Sequence, residues 1–165
     1  MQSAVTTLLL RELRAVRRAI EAYPDDASPW VEVPGLANSG GTLALHIAGN
    51  LRHFIGLHLG GVPYVRDRPA EFARRGVTRA ELIAGIDAAM GAVERGMAAA
   101  TDAVLAMPFP EPINGRRIAA GDWVTHLATH LAWHLGQLDS HRRVVTGQAQ
   151  PIGAVSPNEL AEVAG

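Results

Sequence analysis

At 165 residues the chain has the size of one domain, and its 48% apolar and 19% charged residues suit a self-folding globular protein rather than a disordered one. Fifteen Lys and Arg against 16 Asp and Glu leave a net charge of −1, which gives no broad attraction to nucleic acid or to anionic lipid. The absence of cysteine excludes disulfides, a thiolate nucleophile and a thiolate metal site, so any thiol chemistry needs a thiol brought by a small molecule.

The opening segment MQSAVTTLLLRELRAVRRAI places charges before an apolar stretch could become a signal-peptide core, and no later run reaches membrane-spanning length. The expectation is a cytoplasmic protein with no membrane partner. Val5, Leu9, Leu13, Val16, Ile20 and Tyr23 alternate steps of four and three, which puts them on one face of a helix that Pro24 stops. Arg11, Arg14, Arg17 and Arg18 read as the solvated face of that helix.

After a Pro- and Gly-rich loop at 25–40, a second helix is predicted over 42–59, ending at Gly60 and Gly61, with His46 in its second turn. A long connection at 62–77 holds Pro63 and Pro69 and room for a helical turn at 70–75. Thr78 with Glu81 forms a capping box for a third helix, marked by Leu82, Ile86, Met90, Val93, Met97 and Val104 and reaching Ala106 before Pro108. Its many Ala and Gly residues permit close packing.

Asn114-Gly115 predicts a turn or small hairpin within 109–118. A fourth helix runs from about 120–122 to Thr146, where Gly147 ends it, and the tail at 147–165 reads as irregular except for a short helix capped at Ser156. Four long amphipathic helices without a strand pattern predict an all-α, up-down four-helix bundle, with residues 1–165 forming a single domain and a long connection between helices 2 and 3.

The fourth helix carries the chemistry. His126, His130, His134, Gln137 and His141 fall within about 80° of one another at 100° per residue, beside an apolar stripe of Leu127, Leu131, Leu135, Leu138 and Val145. Imidazoles four apart are offset by roughly 6 Å, so two can share one ion, whereas three in a row cannot. Spacing leaves two pairs open, His126 with His130 or His130 with His134. A remaining ligand must come from another helix, and there His46, Asn50 and His53 share one face while His58 lies well off it. Trp123 and Trp133 read as packing or interface residues.

The pattern H-x-x-x-H-x-x-x-H-x-G-Q over residues 126–137, with the earlier segment LALHIAGNLRHFIG, resembles the DinB-like proteins across most of the chain. The resemblance implies a four-helix bundle holding a divalent metal through three histidines, here His46, His130 and His134, with His126 outside the ligand set. It also implies that Gly136 lets a neighbouring helix approach and that Gln137 bonds near the site; Asn50, His53, His126 and Gln137 are the candidates for outer residues. Some DinB-like relatives are metal-dependent transferases or isomerases that use a low-molecular-weight thiol. The expected function is therefore a metal-dependent thiol S-transferase or hydrolase with zinc or nickel and a small-molecule substrate, in a homodimer. The alternative is a non-catalytic metal-binding or stress-response protein, whose pocket would be filled by Trp133, Phe54 or the 61–77 connection.

Overall fold

The computed structural model describes residues 2–155 and 157–160, and among them it contains helices and no named strand. Helix α1 (Gln2–Glu21) buries Leu9, Leu13, Val16 and Ile20, with Tyr23 just past its end, as the periodicity predicts. Its arginines are not all solvated. Arg11 is buried beside Glu12, Arg14 and Arg18 reach Glu159 in the tail, and Arg17 pairs with Glu21 and Asp87.

Helix α2 (Gly40–Leu51) begins at Ser39, whose side chain accepts the Thr42 amide at 3.3 Å. It then widens into a π-helical segment, Arg52–Leu57, instead of continuing as α-helix to residue 59. The connection to the next long helix holds α3 (Arg68–Ala73), capped by Asp67.

Helix α4 (Arg79–Ala99) has the capping box of Thr78 and Glu81. It stops earlier than the apolar spacing predicts: Thr101 caps a separate helix, α5 (Asp102–Ala106), by accepting the Val104 amide at 3.3 Å. A threonine that offers the backbone a local partner competes with helix continuation. The break turns Val104 outward, leaving it 39% exposed. Helix α6 (Ala120–Thr146) ends at Gly147 with φ 70°, the left-handed cap that glycine accommodates.

Helices α1 and α2 lie chiefly across from each other, each packed between α4 and α6. The contact of α4 with the π-helical segment and the residues after it is backbone-close: a Cβ on Gly96 would meet the Ile55 carbonyl oxygen at 2.4 Å, and one on Gly60 would meet the Gly96 nitrogen at 2.8 Å. Residues 107–119 form a loop with two isolated bridges, Pro108 with Ala119 and Ile113 with Arg116, around the positive-φ pair Asn114 and Gly115. The described part of the tail, residues 147–155 and 157–160, is docked on the bundle. Arg142 reaches the Gln148 side chain and the Gln150 carbonyl, and Pro157–Glu159 form a 3-10 turn. The capping role read for Ser156 lies outside the described residues.

Candidate metal centre

His46 is buried on α2, and His130 and His134 are half-buried one turn apart on α6. Because α2 packs against α6, the three imidazoles meet edge to face, with ring centroids 4.4 to 5.2 Å apart. Their Nε2 atoms converge: His134 to His130 is 3.0 Å and His46 to His130 is 3.4 Å.

The outward nitrogens of two of the rings are already committed. His46 Nδ1 donates to Glu71 Oε2 at 2.9 Å, and His134 Nδ1 donates to Gln137 Oε1 at 2.8 Å. A carboxylate and an amide oxygen can only accept, so each neutral ring carries its proton on Nδ1 and presents an Nε2 lone pair to the others. His130 Nε2 can donate to one of these lone pairs but cannot match both, so one close pair of nitrogens stays unmatched unless a cation lies between them. Protonation is not the remedy the site favours, since burial, followed by the nearby His134 and His46, pushes His130 down to about 4, and burial lowers His134 as well. Three neutral imidazoles form a donor set suited to a divalent transition ion.

A model of the DinB superfamily matches residues 8–138. The chain belongs to the DinB superfamily. No curated protein matches it.

Like the two helices that bring the histidines together, the surroundings of this cluster come from separate parts of the chain. Glu71, from α3, is buried and takes Arg66 Nε and Nη2 at 2.7 and 2.9 Å while it holds His46. Burial alone would raise its carboxyl, but the bonds from His46 and Arg66 outweigh that and hold it below the usual carboxylate range. Glu71 fits because residue 49 is glycine: a Cβ there would meet Glu71 Oε1 at 2.1 Å. No motif in the sequence announces this carboxylate, which lies 25 residues from His46 in the long connection; only the Gly49 in the histidine segment hints at a close approach.

A cavity of about 610 Å³ opens beside the histidines and is lined by His46, His130, Asn50, His53, Arg66 and Glu111, among others. Asn50 is buried, and its Oδ1 has no hydrogen-bond partner among the described residues. His126 is exposed and stacks on Trp123 with centroids 4.8 Å apart. Gln137 bonds as the resemblance implied, but Gly136 does not admit a neighbouring helix, since a Cβ there would meet nothing within 4 Å. His53 turns from His46 towards His58 and Glu111, at 2.8 Å from the carboxylate. His58, which α-helical spacing sets apart from His53, joins it because of the π-helical turn.

His141, the last member of the predicted stripe, is fully buried elsewhere in the bundle. Its Nε2 donates to the Val31 carbonyl at 2.8 Å and its Nδ1 accepts from Tyr23 Oη at 2.6 Å.

Proposed function

We propose that this DinB-superfamily protein is a metal-dependent enzyme in which His46, His130 and His134 bind one divalent ion through Nε2. The observation that carries the reading is the convergence of three Nε2 atoms whose rings are oriented from behind by Glu71 and Gln137. Outer partners of this kind raise the basicity of metal-binding histidines and fix their tautomer.

A divalent ion held there would supply Lewis acidity, lowering the pKa of a water or thiol bound to it. The chain's own groups then bind and orient what enters the cavity. Asn50 Oδ1, buried and unpartnered, can accept a hydrogen bond from a substrate donor, while Arg66 gives the wall a positive edge and Phe54 and Trp123 an apolar one. With no cysteine in the chain, a low-molecular-weight thiol is the co-substrate of the S-transferase form of the reaction; the hydrolase form needs only water. Zinc or nickel is the metal this reading favours, because imidazole suits both.

The non-catalytic metal-binding alternative predicts a coordinatively closed site or a pocket filled by side chains. Trp133 is 68% exposed and does not line the cavity, and Phe54 borders the cavity without filling it. The exposed stripe of α6 bearing Trp133 and Val144 supports the homodimer as part of the proposal.

The test is metal content of untagged protein, followed by turnover of a panel of electrophiles with and without metal and with several thiols. The reading expects bound metal that His46→Ala and His134→Ala each lose, and turnover that needs the metal. Full metal retention in both variants would overturn the ligand assignment; tight metal without turnover would favour the non-catalytic alternative.

A further inference from the structure

A second cluster of metal-ligating side chains stands apart from the three histidines just described. His53 Nε2 and His58 Nε2 each lie 2.8 Å from Glu111 Oε2, and the two imidazoles meet edge to face with centroids 4.9 Å apart. One ligand atom from each of the three residues lies within 4.8 Å of the other two.

The backbone brings the two rings together. Five α-helical steps of about 100° would set residues 53 and 58 roughly 140° apart around the axis. The π-helical turn Arg52–Leu57, with its His58 amide to His53 carbonyl bond at 3.4 Å, stacks them instead. Single π turns inside α-helices are frequent at functional sites. Glu111 arrives on the 107–119 loop, which is pinned by the Phe109 amide to Ile118 carbonyl bond at 2.7 Å and by Phe109 itself, buried 5.3 Å from the His58 ring.

We propose that His53, His58 and Glu111 form a second site for a divalent transition cation of the zinc class, beyond the three-histidine site. Two imidazole nitrogens and one carboxylate oxygen make a donor set that zinc uses with a further position left open. The cluster is also accessible, since His53 and Glu111 line the cavity that His46 and His130 border. The competing arrangement is a purely hydrogen-bonded triad, in which both rings donate to one carboxylate oxygen. That arrangement puts the proton of each ring on Nε2, since the carboxylate can only accept, and leaves the buried His53 Nδ1 without a partner among the described residues. It stands in contrast to His141, whose two nitrogens are both matched.

The experiment is a zinc titration of chelator-stripped, untagged protein, read by competition with a chromophoric chelator. Wild type, His58→Ala, Glu111→Gln and His134→Ala are compared, each checked for fold by circular dichroism. The expected stoichiometry is two zinc ions per chain for wild type and one for each variant. Glu111, with a side chain 40% exposed on a loop, is the site at which substitution least endangers folding, so Glu111→Gln decides the matter if His58→Ala unfolds. A single equivalent in wild type that His134→Ala loses and Glu111→Gln keeps, or two equivalents kept by Glu111→Gln, overturns the second site. The two readings fail separately: loss of an ion in Glu111→Gln with none lost in His134→Ala supports the second site while sinking the first.

Discussion

His134 and His141 lie on the same helix, two turns apart, yet they satisfy their nitrogens in opposite ways. His141 has a donor facing its acceptor and an acceptor facing its donor: Tyr23 Oη on one side and the Val31 carbonyl on the other. Nothing remains for it to bind. His134 has a partner only behind, in Gln137, and turns its other nitrogen to His130 and His46, whose facing atoms are nitrogens too. The difference teaches that burial and residue type do not separate a structural histidine from a candidate ligand. The balance of donors and acceptors around each ring does.

The strongest way to break that comparison is to remove each ring in turn. His134→Ala is expected to abolish metal binding at the three-histidine site, whereas His141→Ala should leave metal affinity unchanged in whatever fraction remains folded; elemental analysis with a thermal melt reads both. Equal metal loss from the two variants would erase the distinction. The next largest effect concerns the support behind the ligands. Glu71→Gln should weaken metal affinity by roughly 10–100-fold, the usual consequence of losing an outer carboxylate, measured by chelator competition. An unchanged affinity would make Glu71 merely a partner for Arg66.

On the structural side, Tyr23→Phe leaves the buried His141 Nδ1 without its donor. A cost of about 1–3 kcal/mol in urea unfolding is expected, with no change in metal binding. The phenol it removes is one that burial holds firmly protonated, so it serves as a donor at every ordinary pH.

The smallest predicted effect is a pH dependence of the metal-free protein. Burial lowers His130, His134 and His141 below their ordinary value, so in this window the unfolded chain binds protons that the fold refuses. Stability is whole above about 6.5 and declines as pH falls below it, with His130 alone contributing about 1 kcal/mol of loss near pH 5.5. Glu71 and Glu111, both held below the usual carboxylate range, act in a lower window, giving up their contribution only as pH falls from about 4.5 through their folded values. Urea midpoints at pH 7.5 and 5.5 check this; a midpoint that rises on acidification would contradict the burial of the three rings.

The helices and the candidate histidines were legible because both depend on one period, the α-helical turn; that period left two pairs and His53 open, and the resemblance to the DinB-like proteins selected His46, His130 and His134, the three that meet. Leu127, Leu131 and Leu135 point inward, and the histidines beside them follow. What was not legible departs from that period or crosses the chain. Thr101 interrupts a helix whose apolar spacing runs on to Val104, because a side-chain cap competes locally with a pattern that says nothing about caps. Glu71 reaches His46 from a connection with no periodicity at all, through a gap that only the missing side chain at Gly49 provides. Gly136 looked like a contact for a neighbouring helix and faces open space.

The wide turn at Arg52–Leu57 amounts to a phase slip of one residue within a continuous helix. Everything before it, His46 and Asn50 included, keeps its bearing on α6, and everything after it is rotated into a new one. Deleting a single residue between His53 and His58 would let the segment relax to ordinary α-helix with the two rings four steps, about 40°, apart, so they would stay stacked and the three-histidine cluster would stay where it is. The wide turn thus lets a spacing of five residues do what a spacing of four does in an α-helix, so what it accommodates is one extra residue without loss of the contact between the rings.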